Sequence, residues 1–383
     1  MRMGMIIISL LWRCQFAYLK ILKINQVMST NMRGLNTFIT DIQEKRVEKE
    51  LQKIRGKFTS QKGLASYQKK KYVWKLLYIN ILGYEVDFGL QACAFLINSS
   101  KFSEKYTGYV ATSILVSEKT HDSPTQAAHS IRVDLQSAYE IIQSFALTMV
   151  GTQAPQELVN ALHQDVQKLA LTEPRSTFHV RKKAFACLLR MYRKYQDKFQ
   201  PSQQAQVIYV QLIQRYPTLG FMTAVTSLLV GTCQLDNPSI FEDCTPKLIN
   251  LLHRIAIQKD SPVDYNYYAT PAPWLQVKIL KALSFFSTPP PSTDSHRQLT
   301  ECLTKIIKKK NRNHGILFEA ANLIITYNGA FGMELKNDIL KLLGIFISVK
   351  EPNLRYLGLE TMCKFVKLAG DTQEDHLNTI FKS

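Results

Sequence analysis

Apolar residues recur every three or four positions along most of this chain, and Pro, Gly, Asn and Asp cut the runs at intervals. That spacing lays one apolar stripe along a helix, while the strict alternation that marks a strand is nearly absent. Five of the helical runs superpose: "VRKKAFACLLRMY" from Val180, "GFMTAVTSLLVGT" from Gly220, "LQVKILKALSFFS" from Leu275, "GILFEAANLIITY" from Gly315 and "LRYLGLETMCKFV" from Leu354. Their matching large apolar position falls at Leu188, Leu228, Leu283, Leu323 and Met362, in steps of 40, 55, 40 and 39 residues. A period near 40 suits a pair of antiparallel helices with its turns, the unit of HEAT and armadillo solenoids. One pair cannot cover its own apolar face, so neighbouring pairs stack into a continuous core. The predicted fold is all-α, a right-handed α-solenoid of HEAT/armadillo-like helical hairpins. Residues 72 to 170 carry more helices with weaker self-similarity, and no internal linker is long enough to part domains, so the array reads as one curved body.

The long step contains "KDSPVDYNYYATPAPW", and its excess of 15 residues is the size of a loop inserted between repeats. Pro271 and Pro273 exclude helix there, and Trp274 is expected to anchor the helix that follows. A packed, aromatic-rich connector is the preferred reading over a peptide-binding loop. Residues 284 to 297, "SFFSTPPPSTDSHR", form a further loop.

With 383 residues and 46% hydrophobic content the chain buries a large core. A formal net charge of +18 favours an anionic partner, whether nucleic acid, a lipid surface or an acidic protein. The seven cysteines (Cys14, Cys93, Cys187, Cys233, Cys244, Cys302 and Cys363) are scattered, with no CxxC pair and no His/Cys cluster at zinc spacing. They read as reduced packing residues of a cytosolic protein. No phosphate loop, GxSxG elbow or HExxH helix occurs, and the eight histidines are dispersed, with His121, His129 and His163 nearest one another. No enzyme, cofactor or metal site is expected. The opening "MRMGMIIISLLW" has a basic residue and a short apolar run, as a signal peptide would, but it lacks a clear cleavage site. It is also too short to span a bilayer. Residues 1–31 are read as an unstructured or mis-assigned extension, with translation starting at Met28 or Met32.

Charge concentrates in "GLASYQKKKYVWKLLYIN", residues 63 to 80. On a helical wheel Val73, Leu76 and Leu77 share one face with Trp74 at its margin, and Lys71, Tyr72 and Lys75 lie opposite. Lys69 and Lys70 fall on the apolar side if the helix reaches back to them, so they are expected in its first turn or the preceding loop. Lysines at a helix N-terminus oppose the dipole unless an anion sits there, and free N–H groups then help to hold it. A polyphosphate headgroup fits that arrangement, while a solvated helix face and a nuclear localisation signal are the plainer alternatives. A second basic run, "CLTKIIKKKNRNHG", reads as an exposed helix end whose cations from Lys305 to Arg312 are favoured by the C-terminal dipole.

Six segments, in order along the chain, carry a family resemblance: "MRGLNTFITDI", "ELQKIRGKF", "YQKKKYVWKLLYINILGYEVDFG", "FSEKYTGYVATSILV", "YNYYATPAPWLQVKILKAL" and "NLRYLGLETMCKF". From about Met32 onward the chain resembles the N-terminal trunk of the alpha-adaptins, large subunits of the plasma-membrane clathrin adaptor complex, more weakly between 117 and 220. The resemblance implies one trunk over residues 32–383, an α-solenoid without the family's hinge and appendage, cut where it exposes an uncapped apolar end. It implies binding of phosphatidylinositol bisphosphate in the inner leaflet through Arg33, Lys57, Lys69, Lys70, Lys71, Tyr72 and Lys75. It also implies beta, mu and sigma adaptor partners, dileucine-type cargo, clathrin engaged indirectly and residence at coated pits on the cytoplasmic face of the plasma membrane, or in the cytosol when unrecruited. An arginine that helps the family hold the acidic residue of dileucine signals is replaced here by Gln43, leaving Lys45 or Arg46 to supply charge. Nucleic acid is not an expected partner of this family. The alternative is a helical-repeat scaffold of another kind, for nuclear transport or nucleic-acid binding.

Overall fold

A computed structural model describes residues 32–59, 64–116, 127–153, 156–172, 177–195, 209–213, 218–235, 237–286, 293–308, 313–327 and 330–369. In the first helix the side chains are described from Gln43 onward. The expected N-terminal extension, residues 309–312 of the second basic run, Cys14 and His121 lie outside the described residues. The chain divides into two compact units, the first running to Leu115 and the second holding the helices from Ala128 onward.

The first unit holds α1 (Met32–Phe58), α2 (Ser66–Ile81), α3 (Leu90–Ile97) and α4 (Phe102–Leu115). Helix α4 packs against both α3 and α2. The α3–α4 crossing is close because Gly108 has no side chain: a Cβ there would stand 2.7 Å from the backbone nitrogen of Ile97 and 2.9 Å from the carbonyl oxygen of Cys93. The apolar face of α2 is buried as the wheel predicts, with Val73, Leu76 and Leu77 in the core. Each such side chain withdrawn from water contributes about 1.5–3 kcal/mol.

The second unit contains α5 (Ala128–Leu135), α6 (Glu140–Gln153), α7 (Gln156–Gln167, continuing into a π turn over Lys168–Thr172), α8 (Phe178–Lys194) and α9 (Leu219–Leu235). It continues with α10 (Thr245–Ala256), α11 (Pro273–Leu283), α12 (Thr293–Lys308), α13 (His314–Thr326), α14 (Met333–Ser348) and α15 (Pro352–Ala369). Helices α6, α8, α9, α11, α13 and α15 touch in succession and form one row, while α10, α12 and α14 form a second. Each helix of the second row also packs on the helix that follows it in sequence, giving the pairs α10–α11, α12–α13 and α14–α15. This is a two-layer α-solenoid. The five runs that superpose in the sequence are α8, α9, α11, α13 and α15, all from one row. Leu188, Leu228, Leu283, Leu323 and Met362, their shared position, are all buried. Helix pairs are stapled across 44 residues where the Tyr327 hydroxyl donates to the Leu283 carbonyl at 2.7 Å.

The connector in the long step departs from expectation. It forms a short antiparallel hairpin, β1 (Asn266–Tyr267) against β2 (Thr270–Pro271), paired Asn266 to Pro271 and Tyr267 to Thr270. Its turn residues Tyr268 and Ala269 both have positive φ, 45° and 59°. Pro273 does not exclude helix but opens α11, because the N–H it lacks would have no partner in a first turn. Trp274 is 61% exposed and anchors nothing beneath it. The buried stripe of α11 runs through Leu275, Gln276, Ile279, Leu280 and Leu283, and Trp274 falls outside it. Its ring lies against Tyr267 instead, 5.1 Å between centroids. The connector is therefore an exposed aromatic ridge rather than a packed link.

Five cysteines, Cys93, Cys187, Cys233, Cys244 and Cys302, are buried as packing residues, and Cys363 is exposed. Burial pushes those five thiols up to about 12, which keeps them protonated and unreactive.

Candidate anion-binding site

Helix α2 begins earlier than the charge pattern predicts. Ala65 is its N-cap, with no side chain closing the first turn, and the N–H of Lys69 already donates to the Ala65 carbonyl at 3.0 Å. Lys69 therefore closes the first turn and Lys70 begins the second, and neither lies in a preceding loop. The expectation that free backbone N–H groups beside these lysines help to hold an anion fails with that placement. Burying them is tolerable because a lysine can lay its aliphatic stem on apolar surface and keep the ammonium at the rim. The Lys69 ammonium lies over the Phe95 ring of α3, 3.3 Å from its centroid, and the Lys70 ammonium bonds the Ser103 hydroxyl of α4. One turn on, the Trp74 indole donates to Thr107 of α4 at 3.2 Å, so this flank of α2 is tied along α4.

The opposite flank faces α1. Val47, Glu50, Leu51, Ile54 and Phe58 form the stripe that α1 turns inward, and Ile54 is fully buried. Phe58 meets the half-buried Tyr72 edge-on at 6.2 Å, and Arg55 pairs with Asp87 at 2.8 Å while lying over the Phe88 ring. Lys75 forms an ion pair with Glu50. Its ammonium is also 5.9 Å from the Tyr72 ring centroid. The Glu50 carboxyl is held below the usual carboxylate range, chiefly by its hydrogen bond to Lys75, with the charges of Lys53 and Lys71 adding to the effect against the cost of burial.

The lysines predicted to act together thus divide. At about 100° per residue, Lys71 and Lys75 lie some 40° apart around α2, whereas Lys69 lies about 160° from Lys71. Lys71, exposed, and Lys75 join Lys53 of α1 around Glu50. Lys57, also exposed, falls on the same stripe of α1 one turn beyond Lys53. Lys69 and Lys70 are turned toward α3 and α4. Arg33 is on α1, with its side chain outside the described residues. Gln43, Lys45 and Arg46 are exposed on α1.

Reading the sequence missed both Glu50 and Lys53. The spacing Glu50–Lys53–Lys57 in "EKELQKIRGKF" carried the signal, since residues three and four apart share one helical face. The resulting surface can do electrostatic work only: three ammonium groups surround one carboxylate and Lys57 adds a fourth cation one turn further along α1, leaving a net positive stripe across α1 and α2.

The family described as Adaptin N terminal region matches residues 43–383. The chain is 40% identical over 363 residues to the AP-2 complex subunit alpha-1 of Arabidopsis thaliana, covering 90% of this chain and 35% of that protein. It is 38% identical over 371 residues to the AP-2 complex subunit alpha-2 of Dictyostelium discoideum, covering 90% and 36%, and 33% identical over 351 residues to the AP-2 complex subunit alpha of Schizosaccharomyces pombe, covering 88% and 39%. The chain spans about a third of the length of these curated relatives. Self-similarity at the helix-pair period, a two-layer array and these matches along nine-tenths of its length agree: the chain belongs to the adaptin N-terminal family, as a trunk of the alpha-subunit type.

Proposed function

We propose that this chain is the trunk of a large subunit of a clathrin adaptor complex, a scaffold rather than an enzyme, that serves endocytic vesicle formation and intracellular protein transport. The identity to AP-2 alpha subunits over 90% of the chain carries this reading. Beta, mu and sigma subunits are its partners, clathrin is engaged through them, and it works at coated pits on the cytoplasmic face of the plasma membrane. The first unit docks to phosphatidylinositol bisphosphate of the inner leaflet. The net positive stripe of Lys53, Lys57, Lys71 and Lys75 supports that part, with Arg33, Lys69, Lys70 and Tyr72 as further contacts. Each cation close to an anionic membrane contributes about 1 kcal/mol, so several together hold a peripheral protein reversibly. Direct capture of dileucine-type cargo rests on Lys45 or Arg46, because Gln43 brings no charge.

The test compares liposomes containing phosphatidylinositol bisphosphate with liposomes of equal charge made with phosphatidylserine. Preference for the first, lost when Lys53, Lys57, Lys71 and Lys75 are changed to Gln with the helical circular dichroism intact, is the expected result. Equal binding to both, or tighter binding to duplex DNA with a steep salt slope, overturns the docking proposal and favours a nucleic-acid scaffold. Co-purification from native cells tests the rest, and absence of beta, mu and sigma companions would sink it.

A further inference from the structure

Charge in the second unit is divided unequally between the two rows. Helices α8, α9, α11, α13 and α15 carry eleven Lys and Arg against two acids, Glu319 and Glu360. Helices α10, α12 and α14 carry seven against four. Solubility alone asks for mixed charge on both rows and leaves this asymmetry without a reason. We propose that the α8–α15 row is a second anion site, separate from the first unit, that takes an extended carboxylate-rich segment of a partner protein.

The site centres on Lys278 and Lys281 of α11, with Arg193 of α8 on one side and Glu319 of α13 and Lys364 of α15 on the other. These groups act on one another electrostatically across four helices. Lys278 and Lys281 are half-buried, and neither lies within ion-pair distance of a carboxylate among the described residues. Lys364 is already paired, with Glu360 at 2.8 Å. Burial and the nearby charges of Arg193 and Lys281 push the Lys278 ammonium below its ordinary range. Burial lifts the Glu319 carboxyl even though Lys281, Lys364 and Lys278 all pull it down. Cations crowded and half-buried, with Glu319 and the Glu360 already paired to Lys364 as the acids of the row, are a standing electrostatic cost that an incoming anion relieves.

The geometry selects the anion. Lys278 and Lys281 are half-buried on α11, which is flanked in the row by α9 and α13. A narrow chain reaches them. Neighbouring helices in a row stand about 8–10 Å apart, so the four steps from α8 to α15 span roughly 36 Å. An extended segment of about ten or eleven residues covers that distance at about 3.3–3.6 Å per residue. Helix α9, which lies within the row between α8 and α11, has no charged residue and exposes no acid to repel it.

The probe is a fluorescein-labelled twelve-residue peptide of alternating Glu and Ser, titrated with the whole chain by fluorescence polarisation. Lys278→Glu with Lys281→Glu is expected to weaken binding at least tenfold. Arg193→Glu with Lys194→Glu changes only exposed residues of α8, leaves folding intact and is expected to weaken binding several-fold. Lys336→Glu with Lys341→Glu in α14 of the other row is expected to stay within twofold, as is Lys71→Gln with Lys75→Gln in the first unit. Equal loss in the α14 variant means the peptide responds to net charge alone, and loss in the α2 variant means it binds at the first site; either overturns the proposal. So does failure to bind the peptide while duplex DNA or anionic vesicles are held through Lys278 and Lys281.

Discussion

Removing an acid at the first site is expected to strengthen binding to an anionic membrane. Glu50 is the one carboxylate among the lysines of the α1–α2 stripe, and Lys75 answers to it rather than to solvent. The substitution Glu50→Gln keeps the shape of the side chain, frees Lys75 and raises the net charge of the stripe by one. With about 1 kcal/mol per charge near the surface, affinity for phosphoinositide liposomes rises roughly fivefold. The structural cost is small. The two side chains are 32% and 40% exposed, so the pair is worth at most about 1 kcal/mol after solvent screening. Liposome co-sedimentation at two salt concentrations, with a urea melt followed by circular dichroism, reads both effects, and the gain shrinks as salt shortens the screening length. The pH dependence follows from the sign of the perturbation. Because the folded-state carboxyl is held below its unfolded value, the stability from the pair is present above the ordinary carboxylate range and is lost as pH falls through the lowered value. Unchanged or weaker liposome binding by Glu50→Gln would show that Lys75 has no part in docking, and the stripe would lose its centre.

Three further outcomes test separate parts of the molecule. Gly108→Ala forces a methyl against the α3 backbone and is expected to destabilise the first unit by about 1–3 kcal/mol, read by urea unfolding, whereas a neutral result would mean α3 and α4 can part without cost. Tyr327→Phe removes the hydroxyl bond while the Leu283 carbonyl keeps the Phe286 N–H as a donor at 3.1 Å, and should cost about 0.5–1.5 kcal/mol; no change in the unfolding midpoint would argue against the staple between helix pairs. Gln43→Arg is expected to tighten binding of an acidic dileucine peptide roughly tenfold in complex with a sigma-type partner, the scale of a hydrogen bond to a charged group, with fluorescence polarisation as the readout. An unchanged affinity there would mean Arg46 already serves, or that the position is covered.

The repeat was legible because one row obeys one rule. Each of α8, α9, α11, α13 and α15 turns a large apolar residue inward at the same place, so Leu188, Leu228, Leu283, Leu323 and Met362 mark a period in the sequence and meet in a core in space. The second row did not emerge from self-alignment. Trp274 was misplaced for a different reason: size and apolarity suggest burial, but the stripe of α11 is set by Leu275, Ile279 and Leu283, and the ring at the neighbouring position had only the hairpin to lie against. At the first site the wheel separated the lysines correctly, and the error lay in assuming that lysines on an apolar side must end the helix. Phe95 and Ser103 supply what Lys69 and Lys70 need, and both come from other helices. Contacts of that kind, like the pairing of Glu50 with Lys75, are made between elements and have no periodic signature. The mutual placement of Lys278, Lys281 and Glu319 was hidden in the same way.

Helix α9 has seventeen residues, eleven of them buried and none charged. Even its hydroxyl groups are spent inward: Thr223, Thr226 and Thr232 return hydrogen bonds to the carbonyls of their own helix. Such a segment is at ease only when both of its flanks are occupied, and α11, which covers one of them, is translated some fifty residues later. On a ribosome adding about 5–20 residues per second, that leaves α9 half-clothed for several seconds. The one uncharged helix of the row is thus a sticky surface in the nascent chain, and it is where a chaperone has work to do.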